Sequence, residues 1–185
     1  SDVCSSDLAE KGLPAALKYS KIAPGAPHAQ HMPSHIFTRV GYWKESIDSN
    51  TASAKLARES KDFGEQMHAN DYKVYAYLQL ARDDDARAAI AEQVETWERT
   101  KALNSTGGGA YALAAAPARL ASERGEWKTA AQLLIRESPI RNAQAMTHFA
   151  RALGAARTGD VAAAKADIAE LQKISAALRA ARDAY

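Results

Sequence analysis

Cysteine, proline, glycine and long hydrophobic runs are all scarce in this chain. Its only cysteine is Cys4, and just six prolines and ten glycines are spread over 185 residues. Segments in which Val, Ile or Thr alternate with polar residues are absent, which argues against a β-sheet protein. No apolar run approaches the roughly 20 residues that a transmembrane helix needs, so the sequence predicts no membrane span.

Alanine, leucine, lysine, arginine and glutamate fill much of the chain instead, which is typical of an all-α protein. The length is sufficient for one domain with its own core. The formal net charge is only +2, and residues of both signs are interspersed along the chain. This pattern predicts a solvated surface rather than a nucleic-acid interface.

A helix–turn–helix pattern recurs along the chain. Segments 33–47 and 117–131 share a Pro, a Gly eight residues later, and a Trp two residues after that Gly. A weaker copy at 150–165 places Gly159 in the turn, 34 residues after Gly125. A 34-residue period of helix pairs is typical of tetratricopeptide-type arrays.

A degenerate fourth copy at 75–90 has Asp83 where the other copies have glycine. Glycine adopts the left-handed conformation that ends a helix sharply, and aspartate is a poorer substitute. Asp83 lies 42 residues from both Gly41 and Gly125, so the first units need longer helices or loops than the standard repeat.

The residues that follow each turn predict how the paired helices pack. Trp43 and Trp127 are expected to fill the corner between the two helices of their units. Small residues at one equivalent position should let the helices approach closely, and these are Ser46, Ala88, Ala130 and Ala164.

Together these patterns predict an all-α, tetratricopeptide-like right-handed superhelix of antiparallel helix pairs. The expected helices lie near 9–22, 28–40, 43–60, 64–81, 84–102, 108–124, 127–136, 142–157 and 160–183. Pro33 leaves two alternatives open. It either kinks the second helix, or begins it and leaves His28 and His31 on a loop.

Three segments resemble a group of bacterial tetratricopeptide-repeat (TPR) proteins that carry the motif HMPSHIF-x-R-x-G-x-W. The segments are HMPSHIFTRVGYW at 31–43, DYKVYAYLQ at 71–79 and FARALGAARTGD at 149–160, and the resemblance extends over nearly the whole chain after residue 8. It implies a helical-repeat fold in which the first helix of each pair lines a concave groove for peptides or protein segments. Members of the group have no settled biochemical role, so the resemblance implies no reaction.

Residues 1–8, SDVCSSDL, resemble the translation of a sequencing adapter, which is a common scar in metagenomic fragments. We therefore expect residues 1–8 to be non-native and 9–185 to form a single helical-repeat domain that is truncated at both ends. Cysteine usage then carries no information on the redox compartment. A bacterial cytoplasmic location is favoured only slightly, and the oligomeric state is not predicted.

A stripe of polar residues defines the candidate binding groove. His28, His31, His35 and Arg39 fall on one face of a helix, because their spacing covers about 80° at 100° per residue. Counting from each turn extends this face into the following units. The predicted groove residues are His28, His31, His35, Arg39, Asn70, Lys73, Tyr77 and Arg119. Such a groove suits an acidic peptide or protein segment.

The same histidines allow a metal site. His31 and His35 are one helical turn apart, and His28, His68 and Asp71 could face the same space, which would suit zinc or another divalent ion. Alternatively, the imidazoles only make hydrogen bonds to backbone carbonyls or neighbouring helices. His148 is expected to face a neighbouring helix.

The leading hypothesis is a non-catalytic protein–protein interaction module without a cofactor. The alternative is a metal-binding domain or metal-dependent hydrolase that uses His28, His31, His35 and His68. Enzymatic catalysis is disfavoured because no Ser or Cys stands in an evident nucleophile–base arrangement. RNA binding is also disfavoured, because the groove positions of the last repeat, Met146, Phe149 and Leu153, carry no Arg or Lys.

Overall fold

The computed structural model describes residues 6–101, 107–138 and 140–181, which form helices joined by turns and loops, with no β-strand among them. The all-α prediction is therefore confirmed. The helices are α1 (Ser6–Tyr19), α2 (Pro27–His31), α3 (Ser34–Val40), α4 (Trp43–Glu59), α5 (Phe63–Gln79), α6 (Asp83–Thr100), α7 (Gly107–Glu123), α8 (Trp127–Ala131), α9 (Arg141–Thr158) and α10 (Val161–Ala180). None of these helices is long and apolar enough to cross a bilayer.

The chain forms two compact units, Ser1–Gly109 and Ala110–Tyr185. In the first unit, α1 packs on α3, both α2 and α3 pack on α4, α4 packs on α5, and α5 packs on α6. In the second unit, α9 packs against both α8 and α10. Packing between helices that are close in sequence is the arrangement expected of helical repeats.

Five of the corners between helices share one backbone geometry. In each corner a left-handed residue is followed by an amide that donates to a carbonyl five residues earlier, which is the outer bond of a Schellman motif. These bonds run from Tyr42 to Phe37, Asp62 to Ala57, Arg82 to Tyr77, Glu126 to Ala121, and Asp160 to Ala155, at 2.8–2.9 Å. The left-handed residues are Gly41, Lys61, Ala81, Gly125 and Gly159.

The three glycine corners are as predicted, but the assignment of Asp83 to a turn is wrong. Asp83 is the first residue of α6, and Ala81 takes the left-handed conformation with φ 54°. Gly41, Lys61 and Ala81 lie twenty residues apart, so the first unit has a helix–turn period that Gly spacing alone does not reveal.

Because the turn before α6 lies two residues earlier than predicted, the small residue that packs in this corner is also two residues earlier. Five residues after each left-handed corner residue the side chain is buried, at Ser46, Gln66, Ala86, Ala130 and Ala164. The predicted Ala88 is exposed on the surface of α6, and Ala86 is completely buried in its place. The packing rule is thus correct for three of the four predicted residues.

Pro33 interrupts the second predicted helix without turning it into a loop. His28 and His31 lie in α2, His35 lies in α3, and both Met32 and Pro33 keep right-handed helical backbone angles. Pro33 lacks an amide hydrogen, so the hydrogen-bonding pattern breaks while the chain direction continues. The predicted helix 127–136 is shorter than expected, because α8 ends at Ala131.

Candidate metal centre

The core of the first unit contains many polar side chains. His31, Ser34, Ser46, Asn50, Ser53 and Asn70 have no exposed surface at all. Burying such groups is unfavourable unless they are hydrogen-bonded or serve a function. His31 belongs to the polar stripe identified in the sequence, and Asn50 is hydrogen-bonded to it, so this region is the candidate functional site.

Two parallel helical segments position the histidines. Residues of α2 and α3 face residues of α5 that lie 37 positions later, and the contacts advance along both segments together. The contacts are His28 Nδ1 to Glu65 Oε1 at 3.3 Å, the rings of His31 and His68 at 4.4 Å, and His35 Nδ1 to the Tyr72 hydroxyl at 2.9 Å. We call this arrangement the histidine ladder.

Three imidazoles of the histidine ladder form a cluster with metal-ligand spacing. One ligand nitrogen from each of His31, His35 and His68 lies within 4.8 Å of the others. The Nε2 atoms of His31 and His35 are 3.0 Å apart. Two ligands of a tetrahedral zinc ion with bonds of about 2.0–2.1 Å would be about 3.3 Å apart. The distance between His31 and His35 is close to this value, and the 4.8 Å limit leaves the cluster wider than one bound ion requires. We call these three residues the histidine triad.

Asn50 sets the protonation pattern of His31. The Asn50 amide nitrogen donates to the Ser46 carbonyl at 2.7 Å, so its oxygen is left to accept from His31 Nδ1 at 2.7 Å. His31 Nδ1 therefore carries the proton, and the Nε2 lone pair faces the triad. A hydrogen bond of this kind is how proteins orient an imidazole that binds a metal.

His35 completes the local hydrogen-bond network. Because His31 Nε2 is an acceptor, His35 Nε2–H donates to it, and the Tyr72 hydroxyl donates to His35 Nδ1. A single proton thus lies between the two Nε2 atoms. A metal cation in the same place would be coordinated by the Nε2 lone pairs of both His31 and His35. His35 Nδ1–H would then donate to the Tyr72 hydroxyl oxygen.

The environment of the triad keeps its imidazoles neutral. Burial and, to a smaller extent, the neighbouring His68 lower the pKa of His31 to about 3. Burial also lowers the pKa values of His35 and His68 from the usual value for histidine. Near pH 7 all three therefore have the lone pairs that metal binding requires.

His68 contributes a buried polar atom without a hydrogen bond. Its Nδ1 has no partner among the residues that the structure describes. An unsatisfied buried polar group costs about 1–3 kcal/mol. A Cβ atom at Gly108 would lie 3.0 Å from this nitrogen, so the glycine lets the start of α7 lie directly against the imidazole. The donor set of three imidazoles fits a bound cation.

Two other predicted ligands lie outside this cluster. The His28 side chain is 66% exposed and contacts Glu65, with its ring 5.8 Å from that of His31. Asp71 is buried on α5, and its charge acts on His68, but it contributes no ligand atom to the triad.

The remaining predicted groove residues differ in their accessibility. Arg39 is exposed, whereas Asn70 is completely buried and its oxygen accepts from Lys73 Nζ at 3.1 Å. Lys73 and Tyr77 are half-buried, and burial lowers the pKa of Lys73 and raises that of Tyr77. Arg119 lies on α7 within the second unit.

Sequence reasoning missed Asn50, Tyr72 and Glu65 as parts of the site. Tyr72 reaches His35 only through the 37-residue offset between α5 and the earlier helices, which the sequence does not reveal. The prediction for His148 is confirmed, because its Nδ1 lies 2.7 Å from Asp167 Oδ1 on the neighbouring α10.

A comparison of the chain with protein-family models, with curated proteins and with solved structures found no match.

Proposed function

We propose that the first unit binds one transition-metal ion of the zinc type through His31, His35 and His68. The observation that carries this proposal is the convergence of three neutral imidazole nitrogens within 4.8 Å of one another. The ordering of His31 by Asn50 and of His35 by Tyr72 supports it, because metal-binding histidines are generally held through their second nitrogen.

The donor set indicates which metals the site would accept. Imidazole suits zinc, copper, nickel and iron, whereas magnesium and calcium require oxygen ligands that this triad does not supply. Zinc accepts three histidines with distorted tetrahedral geometry and needs no redox partner. We therefore expect zinc to be the preferred ion at physiological metal availability.

Elemental analysis of protein purified without a polyhistidine tag tests the proposal. We expect about one equivalent of zinc after equilibration and removal of free metal, as for other tight sites. His31→Ala should lose it, whereas His148→Gln, which alters the one histidine outside the ladder, should retain it. Less than about a tenth of an equivalent in the unaltered protein would refute the proposal, because tight sites bind stoichiometrically.

We also propose that the helices belong to a tetratricopeptide-like superhelix. The support is the shared Schellman corner, the parallel course of α2–α3 and α5, and the position of α4 against both of them. In such arrays the first helices of successive pairs run parallel, with the second helices between them. The resemblance to the bacterial TPR group agrees with this arrangement.

A peptide-binding groove on this scaffold is a second candidate function. Arg39 favours it, since this arginine is exposed beside the ladder and its charge acts on His35. Fluorescence polarisation with a labelled acidic decapeptide tests the groove. Arg39→Glu should weaken binding at least tenfold, while Lys55→Glu on the exposed face of α4 should leave it unchanged. Equal affinities for the two variants would exclude Arg39 from the binding surface.

A further inference from the structure

We infer that the histidine triad leaves one coordination position open to solvent beside Glu65, and that a metal bound there activates water for the hydrolysis of carboxylic esters. This inference rests on the proposed metal site. It adds a ligand class, a reaction and a role for Glu65, a residue outside the triad.

The number and charge of the ligands support an open position. Among the described residues, only three offer a ligand atom to the cluster, and all three are neutral imidazoles. A divalent zinc-type ion with three protein ligands takes a fourth from solution. Because no carboxylate neutralises the ion in this donor set, a water molecule or a small anion is the favoured fourth ligand.

The exposure of the ladder indicates where this position opens. His31 is completely buried, whereas the side chain of His28, which belongs to the neighbouring contact of the ladder, is 66% exposed. We place the open position on this side because the exposed His28 ring lies 5.8 Å from the His31 ring. A substrate would enter on the same side.

Glu65 is placed to receive a proton there. It lies one helical turn before His68 on α5, its side chain is only 11% exposed, and its charge is the strongest one acting on His68. His28 Nδ1 lies 3.3 Å from Glu65 Oε1 and holds the carboxylate at the edge of the triad. Glu65 is thus a candidate general base that is not itself a ligand.

In the proposed hydrolysis, Glu65 carries one proton from water to the departing alcohol. Glu65 takes one proton from water, and the oxygen of the resulting hydroxide forms a bond to the ester carbonyl carbon. The bond from that carbon to the alcohol oxygen breaks, and Glu65 returns the proton to the departing alkoxide. The products are one carboxylic acid and one alcohol, and no oxidant or further reactant is required.

The cobalt-substituted 185-residue chain tests the open position without relying on activity. Cobalt(II) reports its coordination through visible absorption, and azide is a small anionic probe. We expect azide to shift the absorption band of the unaltered protein and of Glu65→Gln. If cobalt binds but saturating azide leaves the absorption spectrum unchanged, the inference of an open coordination position is wrong. Failure to bind cobalt at all would instead contradict the proposed metal site, so the two failures are distinguishable.

Hydrolysis of p-nitrophenyl acetate tests the role of Glu65. The measured quantity is the rate of the zinc-loaded protein minus its rate after EDTA treatment, which removes the background from surface histidines. We expect Glu65→Gln to lower this difference about 100-fold, as for loss of a general base. Glu59→Gln, an exposed glutamate at the end of α4, should leave it unchanged. Equal rates for the two variants, or no zinc-dependent rate in the unaltered protein, would overturn the inference.

Discussion

At the scale of single residues, the site depends on which nitrogen of each imidazole carries the proton. Asn50 and Tyr72 determine this for His31 and His35 through hydrogen bonds of 2.7 and 2.9 Å. Neither partner would bind the metal itself. Both should nevertheless affect metal affinity, because an imidazole that can rotate freely loses entropy when it binds.

We predict that Tyr72→Phe weakens zinc binding about tenfold, because residues that orient metal ligands contribute about 10–100-fold to affinity. The substitution removes only the hydroxyl that contacts His35. Competition with a chromophoric chelator measures the dissociation constant. Tyr75→Phe, on the same helix but against Trp43, is the matched control and should bind zinc normally. Equal affinities for the two variants would contradict the role of Tyr72.

We also predict a pH dependence for the metal-free protein. His31 has a folded-state pKa of about 3, below the unfolded value of 6.5, so only the unfolded chain takes up this proton between those values. Stability should therefore fall as the pH is lowered from 6.5 towards 3, by up to about 1.4 kcal/mol per pH unit for this group.

Urea unfolding in EDTA at pH 7.5 and pH 5.5 measures this effect. The unaltered protein should lose about 1.4 kcal/mol more than His31→Gln over this interval, since the variant has no imidazole at that position. His35 and His68 contribute in the same direction to both proteins. An identical loss in the two proteins would show that His31 is not buried as described.

At the scale of helices and turns, the Schellman corner explains both what was predictable and what was not. Gly41, Gly125 and Gly159 were recognised because glycine adopts positive φ at little cost. Lys61 and Ala81 adopt the same conformation without a sequence signal, since the helices on either side impose it. The local sequence favoured Asp83 for this turn, and tertiary packing placed the turn two residues earlier.

An Ala→Gly substitution should consequently have opposite effects in this corner and inside the helix that follows it. Ala81→Gly should stabilise the protein by about 0.5–1 kcal/mol, because glycine relieves the left-handed strain of alanine. Ala88→Gly, at an exposed position inside α6, should destabilise it by about 1 kcal/mol. Chemical denaturation of both variants checks the prediction, and changes of the same sign would argue against the observed turn position.

At the scale of the whole molecule, the proposed metal would connect α2, α3 and α5 of the first unit. These helices contribute the three ligands, and α4 supplies Asn50 behind them. Any free energy of metal binding therefore adds to the stability of this unit.

We predict that zinc protects the first unit from hydrogen exchange. At a free zinc concentration 100 times the dissociation constant, binding should stabilise the native state by about 2.7 kcal/mol. Slower exchange is expected in α2, α3, α4 and α5, whereas α9 and α10 contain no residue of the triad. His35→Ala should abolish the protection, and zinc-dependent protection confined to α9 and α10 would place the metal elsewhere.

The sequence by itself determined the helical class, most helix boundaries and the three glycine corners, because these depend on periodicity and backbone preference over a few residues. It also indicated one candidate metal-binding group, which consisted of His28, His31, His35, His68 and Asp71. Only the tertiary structure decided that Asn50, Tyr72 and Glu65 join them, and that His28 and Asp71 lie outside the triad. The physical reason is that side-chain contacts between α2–α3 and α5 depend on the register in which the helices pack. That register is set by the whole buried interface rather than by any local pattern.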